Sequence, residues 1–141
     1  MTKILDKNFK ALEHKLEGYS IYAKGGALEK GYKPDYVLKK GNNYVILESE
    51  NTSSRKTYVG GMIKAAHFLQ NEKKGDLIFI ILPKNNTKVS SIASHLKLYL
   101  NWIREKTNLR NVYVIEASKY YCNNIVLDIY CEEFKKCALK V

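Results

Sequence analysis

The segment PDYVLKKGNNYVILESE, residues 34–50, decides the fold. Two runs rich in β-branched and aromatic residues flank a Gly-Asn pair, which is the pattern of a β-hairpin. With the turn centred on Gly41 and Asn42, Asp35 lies directly opposite Glu48. Side chains alternate between the two faces of a strand, so Glu50 lies on the same face as Glu48. The segment therefore predicts three carboxylates at one end of one face of a sheet.

Hydrophobic periodicity predicts helices and strands on both sides of the hairpin. The order of elements is helix, hairpin, helix, strand, helix, strand, which is typical of an α/β fold with a mixed central β-sheet flanked by helices. We expect the 141 residues to form a single domain over 1–141, because two cores at this length would each be marginal. The predicted elements besides the hairpin are a helix from about Asp6 to Gly18, a helix capped by Ser53-Ser54 and running to about Gln70 with an inner face of Tyr58, Met62, Ile63, Ala66 and Leu69, a strand from Asp76 to Leu82, a helix from Val89 to Lys106 with Ile92, Leu96, Tyr99 and Ile103 on its apolar face, a strand from Asn111 to Ile115, a strand from Ile125 to Tyr130 and a short helix from Glu132 to Leu139.

The composition is strongly basic. There are 24 Lys and Arg residues against 14 Asp and Glu, giving a formal net charge of +10. Such an excess either keeps the surface soluble or attracts a polyanion, most often nucleic acid. The apolar run from Leu77 to Leu82 is far shorter than the roughly 20 residues that a spanning helix needs. The first residues, MTKILDKNFK, contain no apolar signal core, so we expect a cytoplasmic location.

The predicted cluster of Asp35, Glu48 and Glu50 has a chemical consequence. Like charges at this distance repel and need a cation, a proton or a basic neighbour. Mg²⁺ is held by such carboxylate oxygens, usually together with substrate phosphates, and can then activate water for phosphodiester hydrolysis. The alternative is that these acids are merely solvated at the end of a hairpin.

The same residues resemble a known family. Pro34-Asp35 followed by Glu48-Ser49-Glu50 at the end of the next strand is similar to the PD-(D/E)xK nuclease signature, with Glu50 in place of the usual lysine. This E-x-E variant, with the helix and strand that follow as far as Pro83, resembles the BamHI-type restriction endonucleases. The resemblance covers roughly residues 17–83. It implies a restriction-endonuclease-like core.

The resemblance also implies roles for individual residues. Asp35, Glu48 and the main-chain carbonyl of Ser49 would hold Mg²⁺, for which Mn²⁺ can substitute. Glu50 would act as general base or as a further acid of the metal site. The family has an acidic residue on the helix before the hairpin, and Glu17 fits that spacing best, with Glu13 as the alternative.

Basic residues near the cluster complete the predicted site. Lys64, on the following helix, could supply the lysine that the signature lacks, or it could be a solvated helix residue. Arg55 and Lys56 could contact DNA phosphates, or they could belong to a solvated first turn.

The function that follows is a Mg²⁺-dependent DNA endonuclease. A structure-selective nuclease such as a Holliday junction resolvase is the nearest alternative, and a non-catalytic DNA-binding module that kept the fold is the alternative from another class. Cutting both strands needs two active sites, so we expect a homodimer. The helix from Val89 to Lys106, with Tyr99, Trp102 and Ile103, is either its interface or ordinary core.

Overall fold

A computed structural model of the chain describes residues 6–82 and 88–141. The strand predicted from Asp76 to Leu82 ends at Ile81. Pro83, the last residue of the stretch that resembles the nuclease family, lies outside the described residues. In chain order the elements are α1 (Asp6–Ala11), β1 (Ser20–Ala23), β2 (Tyr36–Lys40), β3 (Asn43–Glu50), α2 (Arg55–Phe68), β4 (Lys74–Ile81), α3 (Val89–Lys106), β5 (Leu109–Glu116), α4 (Ala117–Tyr120), β6 (Tyr121–Cys122), β7 (Ile125–Val126), α5 (Glu132–Cys137) and β8 (Leu139–Lys140).

Within these two ranges, the main sheet has six strands in the order β1-β2-β3-β4-β5-β8. The three central strands β3, β4 and β5 are parallel, and the outer strands pair antiparallel with their neighbours. Helices cover both faces, so the predicted α/β class with a mixed sheet is confirmed. The sequence pattern did not predict the edge strands β1 and β8, which are short and largely exposed.

The β2–β3 hairpin has the predicted register. Tyr36 pairs with Leu47 and Val37 pairs with Ile46. Gly41 has a φ of +60° at the first position of the two-residue turn, a conformation that glycine adopts without steric cost. The turn therefore fixes which side chains of β3 face each layer of helices.

Two hydrophobic layers enclose the sheet. On one face, α2 and α3 pack over Ile46, Phe79 and other side chains of the central strands. On the other face, α1, α4 and α5 cover the alternate side chains of the same strands. The prediction is wrong for two residues expected on buried helix faces: Ile63 is 50% exposed and Tyr99 is 42% exposed.

The first helix is shorter than predicted: it ends at Ala11 rather than near Gly18. The reason is a tertiary contact. The buried imidazole of His14 donates from Nε2 to the carbonyl oxygen of Phe9 at 2.8 Å, which satisfies a carbonyl at the helix end. Glu13 and Glu17 consequently lie in the loop after α1 and not on a helix.

The C-terminal region also differs from the prediction. The strand predicted from Ile125 to Tyr130 is only Ile125–Val126, which pairs with Tyr121–Cys122 around a turn. Asn123 and Asn124 have φ angles of +51° and +63° in that turn, as a tight hairpin requires. The last helix ends at Cys137, two residues before Leu139. No helix within residues 6–82 and 88–141 is long and apolar enough to cross a membrane.

His14 links α1 to the far end of the chain. Its Nδ1 lies 2.6 Å from the hydroxyl of Tyr120, which therefore donates to it while Nε2 donates to Phe9. A neutral ring fits this arrangement, because it has one donor and one acceptor nitrogen. Burial lowers the pKa of His14 from its ordinary 6.5 to about 4.

We expect the stability of the protein to fall as the pH drops from about 6.5 to about 4. In this window the unfolded chain binds a proton at position 14 that the folded chain does not, so acidification favours unfolding. The loss is at most about 3–4 kcal/mol over the window, at about 1.4 kcal/mol per pH unit. Urea unfolding across this range measures it, and an NMR titration of the imidazole gives the pKa directly. A His14 resonance that titrates near its ordinary value would contradict the prediction.

Candidate active site

A cleft of about 270 Å³ opens at the carboxyl ends of the parallel strands. This is the edge of an open α/β sheet at which ligands ordinarily bind. The cleft is polar because Asp35 and the last residues of β3 provide most of its wall. Its lining residues are Lys33, Asp35, Glu48, Ser49, Glu50, Asn51, Leu82 and Ala117.

The side chain of Asp35 is hydrogen-bonded to the backbone of β3. Its Oδ2 accepts a hydrogen bond from the amide of Ser49 at 2.7 Å. Continued past Tyr36, the hairpin register would place Pro34 opposite Ser49, and proline has no N–H to donate. The amide and carbonyl of one strand residue point to the same edge, so the Ser49 carbonyl faces the side on which Asp35 lies. Asp35 and the Ser49 carbonyl are two of the three groups expected to share a metal ion, and Glu48 is the third.

Glu48 and Glu50 project from β3 toward α2, on the face that also carries Ile46. Both are half-buried. The α2 backbone passes close to Glu48 at Gly61, where an added Cβ would lie 3.2 Å from Glu48 Oε2 and 3.2 Å from the Phe79 ring. Gly61 therefore allows α2 to pack closely against Glu48 and Phe79, whereas Gly60 faces open space.

A second cleft, of about 340 Å³, continues between these carboxylates and α2. Lys56 and Lys64 line it together with Glu48 and Glu50, so both predicted lysines lie beside the acidic cluster. Positive charges at this position attract phosphate oxygens.

Two further candidates lie elsewhere. Glu17 lines a separate pocket with Asp128, among residues that pack on the opposite face of the sheet, so the structure does not bring it to Asp35. Arg55 donates from Nη2 to the hydroxyl of Ser91 on α3 and lines neither cleft of the acidic cluster. The helix that was expected to carry Glu17 ends before it, which explains the displacement.

The sequence pattern did not single out three residues that the structure places at the site. Lys33 lines both clefts, and its position two residues before Asp35 could have indicated it. Asn51 directly follows Glu50 in the sequence, and that position could have indicated it in the same way. Tyr32 lines the second cleft as a buried residue, and no local signal marks it among the 11 tyrosines.

The donor set suits a hydrated divalent cation better than a ready-made cage. Within the described ranges, no three His, Cys, Asp or Glu side chains form a group that could hold a metal ion by themselves. Mg²⁺ usually keeps several waters and is bound by one or two carboxylates and substrate phosphates. Asp35, Glu48 and the Ser49 carbonyl match that mode of binding.

Comparisons with known proteins add little. No model of a known protein family matches the chain, and no curated protein matches it. Among solved structures, that of Pyrococcus furiosus SfsA in complex with Ca²⁺ is similar, with a TM-score of 0.38 and 12% identity. The match covers 71% of this chain and 49% of the SfsA chain, so this chain spans about half of the length of SfsA. A similarity this distant transfers no function.

Gly60 and Gly61 provide a matched pair of alanine substitutions. We expect Gly60→Ala to stabilise the protein by about 1 kcal/mol, because alanine has the higher helix propensity and its Cβ meets nothing. Gly61→Ala should lose that gain, because its Cβ presses on Glu48 and on buried Phe79. Urea unfolding of both variants measures the difference. Equal stabilisation by the two would show that α2 does not constrain Glu48.

Proposed function

We propose that the chain is a Mg²⁺-dependent DNA endonuclease, a single PD-(D/E)xK domain over residues 1–141 with a restriction-endonuclease-like core. The observation that carries the proposal is the cleft at the carboxyl ends of the parallel strands. Asp35, Glu48 and Glu50 line it together, and the Ser49 amide holds the Asp35 carboxylate.

The three carboxylates of the cleft and the Ser49 carbonyl each have a role in this proposal. Asp35, Glu48 and the Ser49 carbonyl would hold Mg²⁺ or Mn²⁺. When bound, such an ion lowers the pKa of water and offsets the charge that develops on a scissile phosphate. Glu50 would accept the proton of the attacking water as general base. Lys64 would contact the phosphate from the opposite wall and is the alternative base.

DNA is the partner that fits the charge distribution. The chain has a net charge of +10, and Lys33, Lys56 and Lys64 line the two clefts around the carboxylates. Lysines contact phosphates without reading sequence. A non-catalytic DNA-binding module would gain nothing from carboxylates in this position, because they repel phosphates.

A two-fold dimer remains a prediction that follows from the proposed activity on duplex DNA. Cutting both strands requires two active sites. On α3, the helix predicted to be either the interface or ordinary core, Tyr99 is 42% and Trp102 is 61% exposed, while Ile103 is buried. Ile103 therefore belongs to the core rather than to an interface.

We expect the protein to cleave DNA with Mg²⁺ or Mn²⁺ and to lose cleavage in Asp35→Asn and Glu48→Gln. Each substitution removes a charged cation ligand, and we expect a loss of roughly 100-fold or more. The assay uses supercoiled, linear and four-way junction DNA, and the preferred substrate separates a restriction-type enzyme from a junction resolvase. Glu105→Gln, an exposed acid on α3, is the control. Cleavage by both site variants at the wild-type rate would refute the proposal.

Glu50 and Lys64 can be distinguished as the base. We expect Glu50→Gln to lower kcat by about 10²–10⁴-fold and to remove the acidic limb of the pH–rate profile, because the proton acceptor is lost. Lys64→Met should mainly raise KM, because a phosphate contact is lost. Lys106→Met, at an exposed position on the last turn of α3, is the matched control. A profile changed by Lys64→Met and unchanged by Glu50→Gln would identify the lysine as the base.

A further inference from the structure

The hydroxyl of Tyr32 is unusual among the buried polar groups of this protein. The residue is 4% exposed, and in the described part of the chain its Oη has no hydrogen-bond partner. Two other buried tyrosines have partners: Tyr58 donates to the carbonyl of Thr52, and Tyr120 donates to His14. A buried hydroxyl without a partner costs free energy, so Tyr32 needs an explanation that the protein fold does not supply.

Tyr32 lies at the proposed active site. It lines the second cleft together with Glu48, Glu50 and Lys64. Burial raises the pKa of Tyr32, and the charges of Glu48 and Asp35 raise it further. A phenol carries its proton at neutral pH, so the Tyr32 hydroxyl can act as a hydrogen-bond donor.

The backbone of Tyr32 is held in place. Its amide donates to the carbonyl of Glu29 at 3.1 Å, and its carbonyl accepts from the amide of Leu28 at 3.0 Å. The Glu29 carboxylate lies 2.6 Å from Nδ1 of His67 on α2. The loop that carries Tyr32 is thus attached to the same helix that packs against Glu48.

We propose that Tyr32 is a positioning residue of the cleft. Its hydroxyl donates a hydrogen bond to an oxygen atom bound beside the Glu48 carboxylate, either of water on a divalent cation or of a DNA phosphate. Such a bond would orient the bound oxygen atom. It would also explain why the Tyr32 hydroxyl has no hydrogen-bond partner when no ligand is bound. This inference rests on the proposed function, because it assumes that the cleft binds a cation or a phosphate.

Removal of the hydroxyl alone tests the structural half of the inference. We expect Tyr32→Phe to leave the thermal unfolding midpoint unchanged or to raise it, because the hydroxyl stabilises nothing in the free protein. Tyr58→Phe is the matched control and should lower the midpoint, because it leaves the Thr52 carbonyl unsatisfied. A midpoint that Tyr32→Phe lowers as much as Tyr58→Phe does would overturn the inference.

Ligand binding tests the functional half. In calorimetric titration of the free protein with Mn²⁺ or Ca²⁺, we expect Tyr32→Phe to weaken cation affinity by about 10-fold, as is typical for loss of an outer hydrogen bond at a metal site. A parallel measurement follows duplex DNA binding in Ca²⁺ by fluorescence anisotropy. Weaker cation binding identifies the oxygen as water on the ion, and weaker DNA binding with normal cation binding identifies it as phosphate. Tyr58→Phe should change neither.

The two proposals fail in different ways. A wild-type protein that binds neither divalent cations nor DNA refutes the proposed active site and, with it, the role of Tyr32. A wild-type protein that binds them, with a Tyr32→Phe variant of identical affinities, overturns the role of Tyr32 alone.

Discussion

The hydrogen bond from the Ser49 amide to the Asp35 carboxylate is the contact on which the candidate site depends. The β2–β3 ladder cannot continue through Pro34, which has no N–H, so the side chain of Asp35 takes over at the open end of the hairpin. The same bond that holds the two strand ends together holds a carboxylate against the carbonyl-bearing edge of β3. Asp35 therefore both joins the two strands at the open end of the hairpin and provides a carboxylate to the candidate site. The other strands of the sheet hold the end of β3 in place.

The parts of the fold that the sequence predicts well are those set by local chemistry. The turn at Gly41 and Asn42 fixes the register of the hairpin, and strict alternation from Ile46 onward then places Glu48 and Glu50 on one face. The helix from Val89 to Lys106 agrees with its predicted bounds, because a long amphipathic segment leaves little choice. Most of the candidate site was predictable for the same reason: it belongs to one hairpin and the helix after it.

The parts that were missed depend on contacts between distant segments. The end of α1 is set by the His14 ring, whose own position depends on Tyr120, more than 100 residues further along the chain. No local pattern contains that information, and the expectation for Glu17 failed with it. The edge strands β1 and β8 are short and exposed, so they have no apolar alternation to reveal them. Tyr32 was missed because its significance is a buried hydroxyl, and burial depends on the whole fold.

The position of the acids, rather than their number, distinguishes the candidate site. Glu13, Glu17 and Asp128 also line one pocket, but the first two lie in the loop that follows α1, on the face opposite α2. Glu48 and Glu50 instead follow a buried stretch of β3 from Tyr44 to Leu47, and Glu48 lies where the α2 backbone comes close at Gly61. Half-buried charges in such surroundings interact more strongly than charges in water, both with each other and with a cation. In the proposed function, the net positive charge of the chain would act over a longer range and attract a polyanion that the carboxylates alone would repel. A divalent cation between the carboxylates and the polyanion would offset that repulsion.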